Sequence, residues 1–178
     1  FALSNSFDGF IAVGGGSTMD TAKAANLYST YPADFLDYVN APIGKGKRVP
    51  GPLKPLIAIP TTAGSGSEAT HFAVVYVNKI KYSLAHDYML PDYSIIDFQL
   101  SCSVSKKAAA SCAMDALSQA VESFWAVGST KESKEYATRA ITSISRVAAR
   151  RTSATRTRTA SPAAWPCVSL ICLKPLRS

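Results

Sequence analysis

The sequence predicts an α/β domain over the first hundred residues and a helical segment after it. Two short apolar runs, residues 10–13 and 55–60, are each followed by a loop rich in glycine or hydroxyl side chains, a pattern typical of buried strands in a parallel sheet. From Ser105 the pattern changes to runs of helix-forming residues. Strands first and helices afterwards favour a mixed domain that leads into an all-helical one.

Three consecutive glycines, residues 14–16, separate the first strand from a predicted helix over residues 18–30. A helix start offers free backbone N–H groups and a positive dipole end, and glycines let an anion approach the backbone closely. Ser17 or Thr18 can cap the helix or hydrogen-bond a phosphate. The pattern predicts a site for a nucleotide pyrophosphate; a strand–helix turn whose glycines serve only tight packing is the alternative.

The loop at residues 61–70, TTAGSGSEAT, follows the second predicted strand directly. The carboxyl ends of parallel strands meet at one edge of a sheet. We therefore expect this loop to lie beside the glycine turn and to help form one ligand site, although a polar surface loop would have the same composition.

The remaining elements follow from shorter patterns. Residues 71–78 are predicted to form a strand with which residues 81–86 can pair across a short turn, and residues 90–98 contain one more short strand. Residues 34–39 can form a helical turn. Two helices are predicted after residue 105, the second running from Lys131 to about Arg146.

Few side chains outside the two loops are candidates for chemistry. Asp115 and Gln119 lie one helical turn apart and share a face, where they could hold a cation, a nicotinamide or a sugar hydroxyl; an Asp stabilised by the helix dipole is the simpler interpretation. His71 and His86 lack metal-ligand spacing and are interpreted as structural. Lys81 could reach a phosphate or ribose, or simply be solvated.

Composition limits the class of protein. A hydrophobic content of 47% supports a folded core, and no apolar run is long enough to cross a bilayer, so we expect no membrane partner. The four cysteines form no CxxC pair, which favours a reducing compartment, and we expect the cytoplasm. The first residues do not resemble a secretory signal, and without an initiating Met the chain is expected to begin partway through a protein.

Three blocks of the chain together resemble the iron-containing (group III) alcohol dehydrogenases. In sequence order they are AVGGGSTMDTAKAANL, PLIAIPTTAGSGSEAT and SCAMDALSQAVESFWA. The resemblance covers residues 8–144. Within it, residues 34–47 resemble the hydroxyacid–oxoacid transhydrogenase branch, while residues 69–86, followed by residues 114–123, resemble the phosphonoacetaldehyde reductase branch. It implies a partial Rossmann-like dinucleotide-binding domain over residues 1–100 and the first helices of a helical metal-binding domain over residues 101–144.

The resemblance also implies an activity and a set of site residues. The activity is NAD- or NADP-dependent interconversion of an alcohol and an aldehyde or ketone by metal-assisted hydride transfer, with a small-molecule substrate and a homo-oligomeric whole protein. The metal, Fe or Zn, would be held by Asp115. The implied cofactor-binding residues are Gly15, Gly16, Ser17, Asp20, Thr61, Thr62, Ser65 and Lys81.

The chain departs from the family pattern at Gln119, where the family usually has a histidine ligand. The phosphonoacetaldehyde reductase branch also tends to have Gln there, so a feature of that branch is the alternative to a lost ligand. An amide oxygen is a weaker ligand than imidazole for iron or zinc, and the family's two further histidine ligands lie beyond the matched region. We therefore expect an incomplete, inactive piece of a dehydrogenase. One alternative is a non-catalytic truncated product, and another is a basic-tailed nucleic-acid-binding protein. The second lacks the basic patch with interleaved aromatic residues that is typical of nucleic-acid binding.

The tail, residues 145–178, carries the entire net charge of +7 and contains no acidic residue. Its composition shifts abruptly to Arg, Ser, Thr and Ala and no longer resembles the family. One choice of codons for residues 170–177, read in another frame, encodes Ser-Lys-Thr-Thr-Ala, which the family has shortly before its next histidine ligand. We predict an out-of-frame tail that packs poorly and is dispensable; a functional basic tail that binds nucleic acid is the alternative.

Overall fold

The structure, a computed structural model, describes residues 2–5, 7–156 and 174–175. These residues form two compact units, one up to Ser103 together with the last short strand, and one that begins at Val104. In chain order the helices and strands are β1 (Phe10–Gly14), α1 (Gly16–Thr30), α2 (Phe35–Tyr38), β2 (Leu56–Pro60), β3 (Phe72–Val77), β4 (Ile80–Ala85), β5 (Tyr93–Ser94), α3 (Lys106–Trp125), α4 (Lys131–Arg156) and β6 (Lys174–Pro175).

The first unit is built on a sheet with the strand order β1-β2-β5-β6. β1 and β2 are parallel, with Ala12 opposite Ala58, and β5 adds a further parallel strand; β6 pairs antiparallel with β5. Ala12 and Ala58 are buried, whereas Ile11 is 69% exposed and Val13 is 53% exposed. The prediction that β1 is a buried strand is therefore wrong for one of its two faces, because α1 covers only the face that carries Ala12. The predicted α/β fold with a parallel sheet is confirmed.

Helix α1 covers one face of this sheet and also packs on the hairpin. Met19 joins Ala12, Leu56 and Ala58 in one apolar cluster. Two turns farther along the helix, Leu27 joins a second cluster with residues of the hairpin, of α2 and of the segment after α2. Fully burying a leucine is worth about 1.5–3 kcal/mol, so α1 ties the sheet and the hairpin into one unit.

The hairpin predicted at residues 71–86 is present as β3 and β4, which pair antiparallel with Phe72 opposite Ala85. Asn78 and Lys79 both adopt positive φ, 50° and 65°, as a tight turn matched to strand twist requires. At the open end the His86 N–H donates to the His71 carbonyl, and the Nδ1 of His86 accepts from the Tyr88 N–H at 3.2 Å. The structural interpretation of His86 is therefore confirmed.

The segment after α1 folds back on itself around Asp37. The Asp37 carboxylate accepts hydrogen bonds from Lys45 at 2.7 Å and from Lys47 at 2.9 Å, and the Lys47 N–H donates to the Asp37 carbonyl. These two hydrogen bonds lower the pKa of Asp37, and the bond from Lys45 has the larger effect. The carboxylate thus holds both arms of the segment together while it is ionised.

Asp37 is expected to make the first unit more sensitive to acid. Because its folded-state pKa is lowered, its stabilisation is complete above the ordinary carboxyl pKa of about 3.9 and is lost as the pH falls through the lowered value. Thermal melting of the wild type and Asp37→Asn should differ at pH 7, and the difference should begin to shrink at about pH 4 and vanish only as the pH falls through the lowered pKa. Asp8→Asn, at an exposed position, is the control and should leave the wild-type profile unchanged. A gap that persists unchanged into strong acid would contradict this role.

The second unit is a pair of helices. Ser105 accepts from the Ala108 N–H and caps α3, while Thr130 and Ser133 exchange side-chain and backbone hydrogen bonds at the start of α4, as in a capping box. Ala120 and Ala137 are buried. Helix α4 extends to Arg156, ten residues beyond the predicted end near Arg146.

The predicted tail is covered only in part. Residues 145–156 continue α4, and Lys174–Pro175 forms β6. Residues 157–173 and 176–178 lie outside the described residues, so an out-of-frame, dispensable tail stays a prediction. In the part of the chain that the structure describes, no helix has the length and apolarity needed to cross a membrane.

Candidate cofactor site

The glycine turn joins the end of β1 to the start of α1. The helix begins at Gly16, two residues before the predicted start, because the Gly15 carbonyl accepts from the N–H groups of Thr18 at 3.0 Å and Met19 at 3.2 Å. No side chain caps this end, so neither Ser17 nor Thr18 is used as a cap. Among the described residues nothing accepts a hydrogen bond from the N–H of Gly16 or Ser17, which leaves two donors at the positive end of the helix.

The loop after β2 lies directly against this turn. The Thr61 N–H donates to the Gly14 carbonyl at 2.9 Å. A methyl group added at Gly15 would come within 3.1 Å of the Thr62 hydroxyl, and one at Gly16 within 2.9 Å of the Ser65 Cβ. The prediction that the two loops share one end of the sheet is confirmed, and the absence of side chains at the turn is what allows this contact.

The same loop depends on a left-handed residue. Gly66 has φ 65° and ψ 9° and precedes a single turn of 3₁₀ helix, Ser67–Ala69. Residues with a Cβ adopt this conformation at a cost. The turn directs the Ser67 side chain towards α1, where it is buried.

Asp20, one turn into α1, uses both carboxylate oxygens within the protein. One oxygen accepts from the Ser67 hydroxyl at 2.5 Å, and the other accepts from the Val74 N–H at 2.9 Å. The carboxylate therefore links α1 to the loop and to β3. Its direct role at a cofactor pyrophosphate, implied by the resemblance, stays a prediction.

Lys23 is the residue of this region that the sequence analysis missed. Its side chain is completely buried, and its ammonium donates to the carbonyls of Ser67, Thr70 and Phe72 at 2.6–2.8 Å. Burial lowers its pKa to about 8, against the opposing effect of the nearby Asp20 carboxylate. The available signal was its spacing, four residues after Met19 and four before Leu27, which places a lysine on the buried stripe of α1.

A sequence model of the family described as "Iron-containing alcohol dehydrogenase" matches residues 1–98, more than half of the chain, and coincides with the sheet and both loops. The chain belongs to the iron-containing alcohol dehydrogenase family. The match contains two of the three blocks on which the resemblance was based, and the third, in helix α3, lies beyond it.

The chain spans only about a third of the length of the relatives that it matches. The mitochondrial hydroxyacid-oxoacid transhydrogenase of Bos taurus is 51% identical over 130 residues, which are 71% of this chain and 28% of that protein. The iron-containing alcohol dehydrogenase of Thermococcus thioreducens superposes with a TM-score of 0.73 at 31% identity, over 78% of this chain and 37% of its own. The sulfoacetaldehyde reductase of Bifidobacterium kashiwanohense, solved with NAD⁺, gives 0.62 at 40% identity, over 68% and 32%.

Two other predicted site residues of this iron-containing alcohol dehydrogenase chain, Lys81 and Asp115, are exposed. No hydrogen bond or ion pair among the described residues joins Lys81, exposed on β4 opposite Tyr76, to the two loops. Asp115 is exposed on α3, one turn before Gln119. Within the described residues no three His, Cys, Asp or Glu side chains come together as a metal site. One carboxylate and one amide are too few donors for a divalent metal, so the described residues do not fit the metal.

Proposed function

We propose that this chain is a dinucleotide-binding part of an oxidoreductase and that it takes the pyrophosphate of NAD or NADP at the glycine turn. The single observation that carries the proposal is the juxtaposition of the turn and the loop after β2. The backbone N–H of Thr61 donates to the Gly14 carbonyl. Thr62 lies so close to Gly15, and Ser65 so close to Gly16, that a Cβ atom on either glycine would press against them. Hydroxyls and free helix N–H groups therefore converge on one small region.

The chemistry of this region suits a phosphate. The N–H groups of Gly16 and Ser17 point out of the positive end of α1, and the Ser17 side chain is exposed beside them. Donors of this kind bind anions without a bulky side chain between ligand and backbone. NAD or NADP, when bound, would accept or donate the hydride; the residues named here would hold and orient its phosphates, with Thr61, Thr62 and Ser65 towards the nicotinamide.

For the whole protein we propose alcohol–aldehyde or alcohol–ketone oxidoreduction. The names of the relatives support this class: a hydroxyacid-oxoacid transhydrogenase, an alcohol dehydrogenase and a sulfoacetaldehyde reductase. We retain Asp115 as one proposed ligand of a divalent metal, Fe or Zn, and Lys81 and Asp20 as proposed cofactor residues. A small alcohol or aldehyde substrate and a homo-oligomeric assembly are proposed on the same basis. Within the described residues no observation favours nucleic-acid binding, and most of the basic tail lies outside them.

The proposed compartment is the cytoplasm, on the strength of the scattered cysteines, of which Cys102 and Cys112 are free in the structure. The transhydrogenase relatives are named as mitochondrial, which makes the mitochondrion the competing location. Fluorescence microscopy of the tagged whole protein would separate the two.

Titration with NADH tests the proposal. The wild-type chain is expected to bind NADH, and Gly16→Val is expected to raise Kd about tenfold or more, a loss of about 1.4 kcal/mol. The added side chain would meet Ser65 and cover the helix N–H groups. Isothermal titration calorimetry or nucleotide fluorescence measures Kd, and far-UV circular dichroism confirms folding.

Gly128→Val is the matched control, because a Cβ at Gly128 meets no atom within 4 Å. It should bind NADH as the wild type does. Equal affinity of Gly16→Val and the wild type would show that the pyrophosphate does not lie at this turn.

A further inference from the structure

The loop after β2 is held in place by a buried lysine rather than by apolar packing. Five acceptor atoms surround the Lys23 ammonium, and all of them belong to Ser67, Thr70 or Phe72. The three carbonyls lie at 2.6, 2.7 and 2.8 Å, and the hydroxyls of Ser67 and Thr70 at 3.1 and 3.3 Å. A single side chain of α1 thus donates hydrogen bonds to acceptors at the far end of the loop and to the carbonyl of the first residue of β3.

The Asp20 carboxylate completes this arrangement from the preceding turn of α1. It lies 4.0 Å from the Lys23 ammonium and accepts from the Ser67 hydroxyl, which in turn accepts from Lys23. The Val74 N–H donates to its other oxygen. Lys23, Asp20 and the Ser67 hydroxyl form one closed network. The hydrogen-bond partners that Lys23 and Asp20 find in it all lie between Ser67 and Val74.

Stability alone does not account for a buried ion pair. A well-packed apolar replacement of such a pair is often as stable, since desolvating two charges costs about as much as their attraction returns. What a charge network supplies is one geometry, because carbonyls and hydroxyls must meet the ammonium at fixed distances and directions. The loop geometry fixed here is the one that places Thr62 and Ser65 against Gly15 and Gly16.

We propose that Lys23 is a positioning residue of the cofactor site: with Asp20 it clamps residues 67–72 to α1 and thereby holds Thr62 and Ser65 beside the glycine turn. This inference rests on the proposed function. Lys23 itself does not touch the cofactor; it acts through the loop.

Hydrogen exchange and NADH titration, run on the same samples, test the inference. Lys23→Met keeps a chain of similar length and removes the donors. Amides of residues 61–70 are expected to exchange about tenfold faster or more, while those of β1 and β2 keep their protection. Over the folded population, Kd for NADH is expected to rise about tenfold or more. Lys107→Met, at an exposed position of α3, is the matched control and should change neither quantity.

Other results would contradict either the inference or the proposed function, and the two cases can be told apart. Unchanged exchange in residues 61–70 would show that Lys23 does not hold the loop. Faster exchange with unchanged Kd would show a structural role without consequence for the cofactor. If Lys23→Met fails to fold, Ser67→Ala, which removes only the hydroxyl that joins Lys23 to Asp20, decides by the same two readouts. If the wild type binds no NADH, the proposed function fails, while the exchange data still decide whether Lys23 holds the loop.

Discussion

No metal-dependent dehydrogenase turnover is expected from this 178-residue chain. Asp115 is exposed and has Gln119 one turn away, and the described residues bring no three metal-ligating side chains together. Without Lewis-acid polarisation of the carbonyl oxygen several kcal/mol of transition-state stabilisation are lost. The rate should therefore lie at least about a thousandfold below that of a complete family member.

The measurement is NADH oxidation or NAD⁺ reduction with short aldehydes and alcohols, with Fe²⁺ or Zn²⁺ added. A full-length iron-containing alcohol dehydrogenase assayed in parallel is the positive control. Turnover that depends on added metal and disappears in Asp115→Ala would contradict the prediction, since it would require a metal site assembled by this chain.

Leu27→Ala is expected to destabilise the first unit by about 3 kcal/mol. Leu27 is completely buried in a cluster with Tyr38, Val49 and Leu84, so its removal leaves a cavity between α1, the hairpin and the segment after α2. For a unit of this size the melting temperature should fall by about 12 °C or more. Cofactor binding should fall with the folded fraction, since α1 carries the glycine turn.

Near-UV circular dichroism is the suitable probe for this variant, because seven of the eight tyrosines precede residue 100. Leu3→Ala is the matched control: Leu3 is 68% exposed, and surface changes of this kind cost about 0.5 kcal/mol or less. Equal melting temperatures for the two variants would mean that the cluster around Leu27 does not hold the unit together.

The elements that could be predicted from the sequence are those with strong local patterns. The apolar runs before Gly14 and up to Pro60 became parallel strands, and the two strand segments on either side of the turn at Asn78 became a hairpin. The meeting of the two loops also followed, because parallel strands place their carboxyl ends together.

The parts that could not be predicted depend on tertiary contacts. Lys23 resembles a solvated lysine until the carbonyls of Ser67, Thr70 and Phe72 are brought around it by the fold. Similarly, Asp20 resembles a ligand-binding residue of the turn, and only the position of Ser67 and Val74 reveals where its oxygens are used. The continuation of α4 to Arg156 was missed because the abrupt change of composition suggested an end to the fold.

The outer side of β1 affects the behaviour of concentrated solutions. Among the described strands β1 pairs on one side only, and Phe10–Gly14 contains neither a charged residue nor a proline that would discourage a second chain. Two molecules that meet there would gain backbone hydrogen bonds along the open edge. Such self-association grows with concentration and is not weakened by salt, because no charge takes part. Affinities for the wild type and its variants should therefore be compared at one low protein concentration, where such association is weakest.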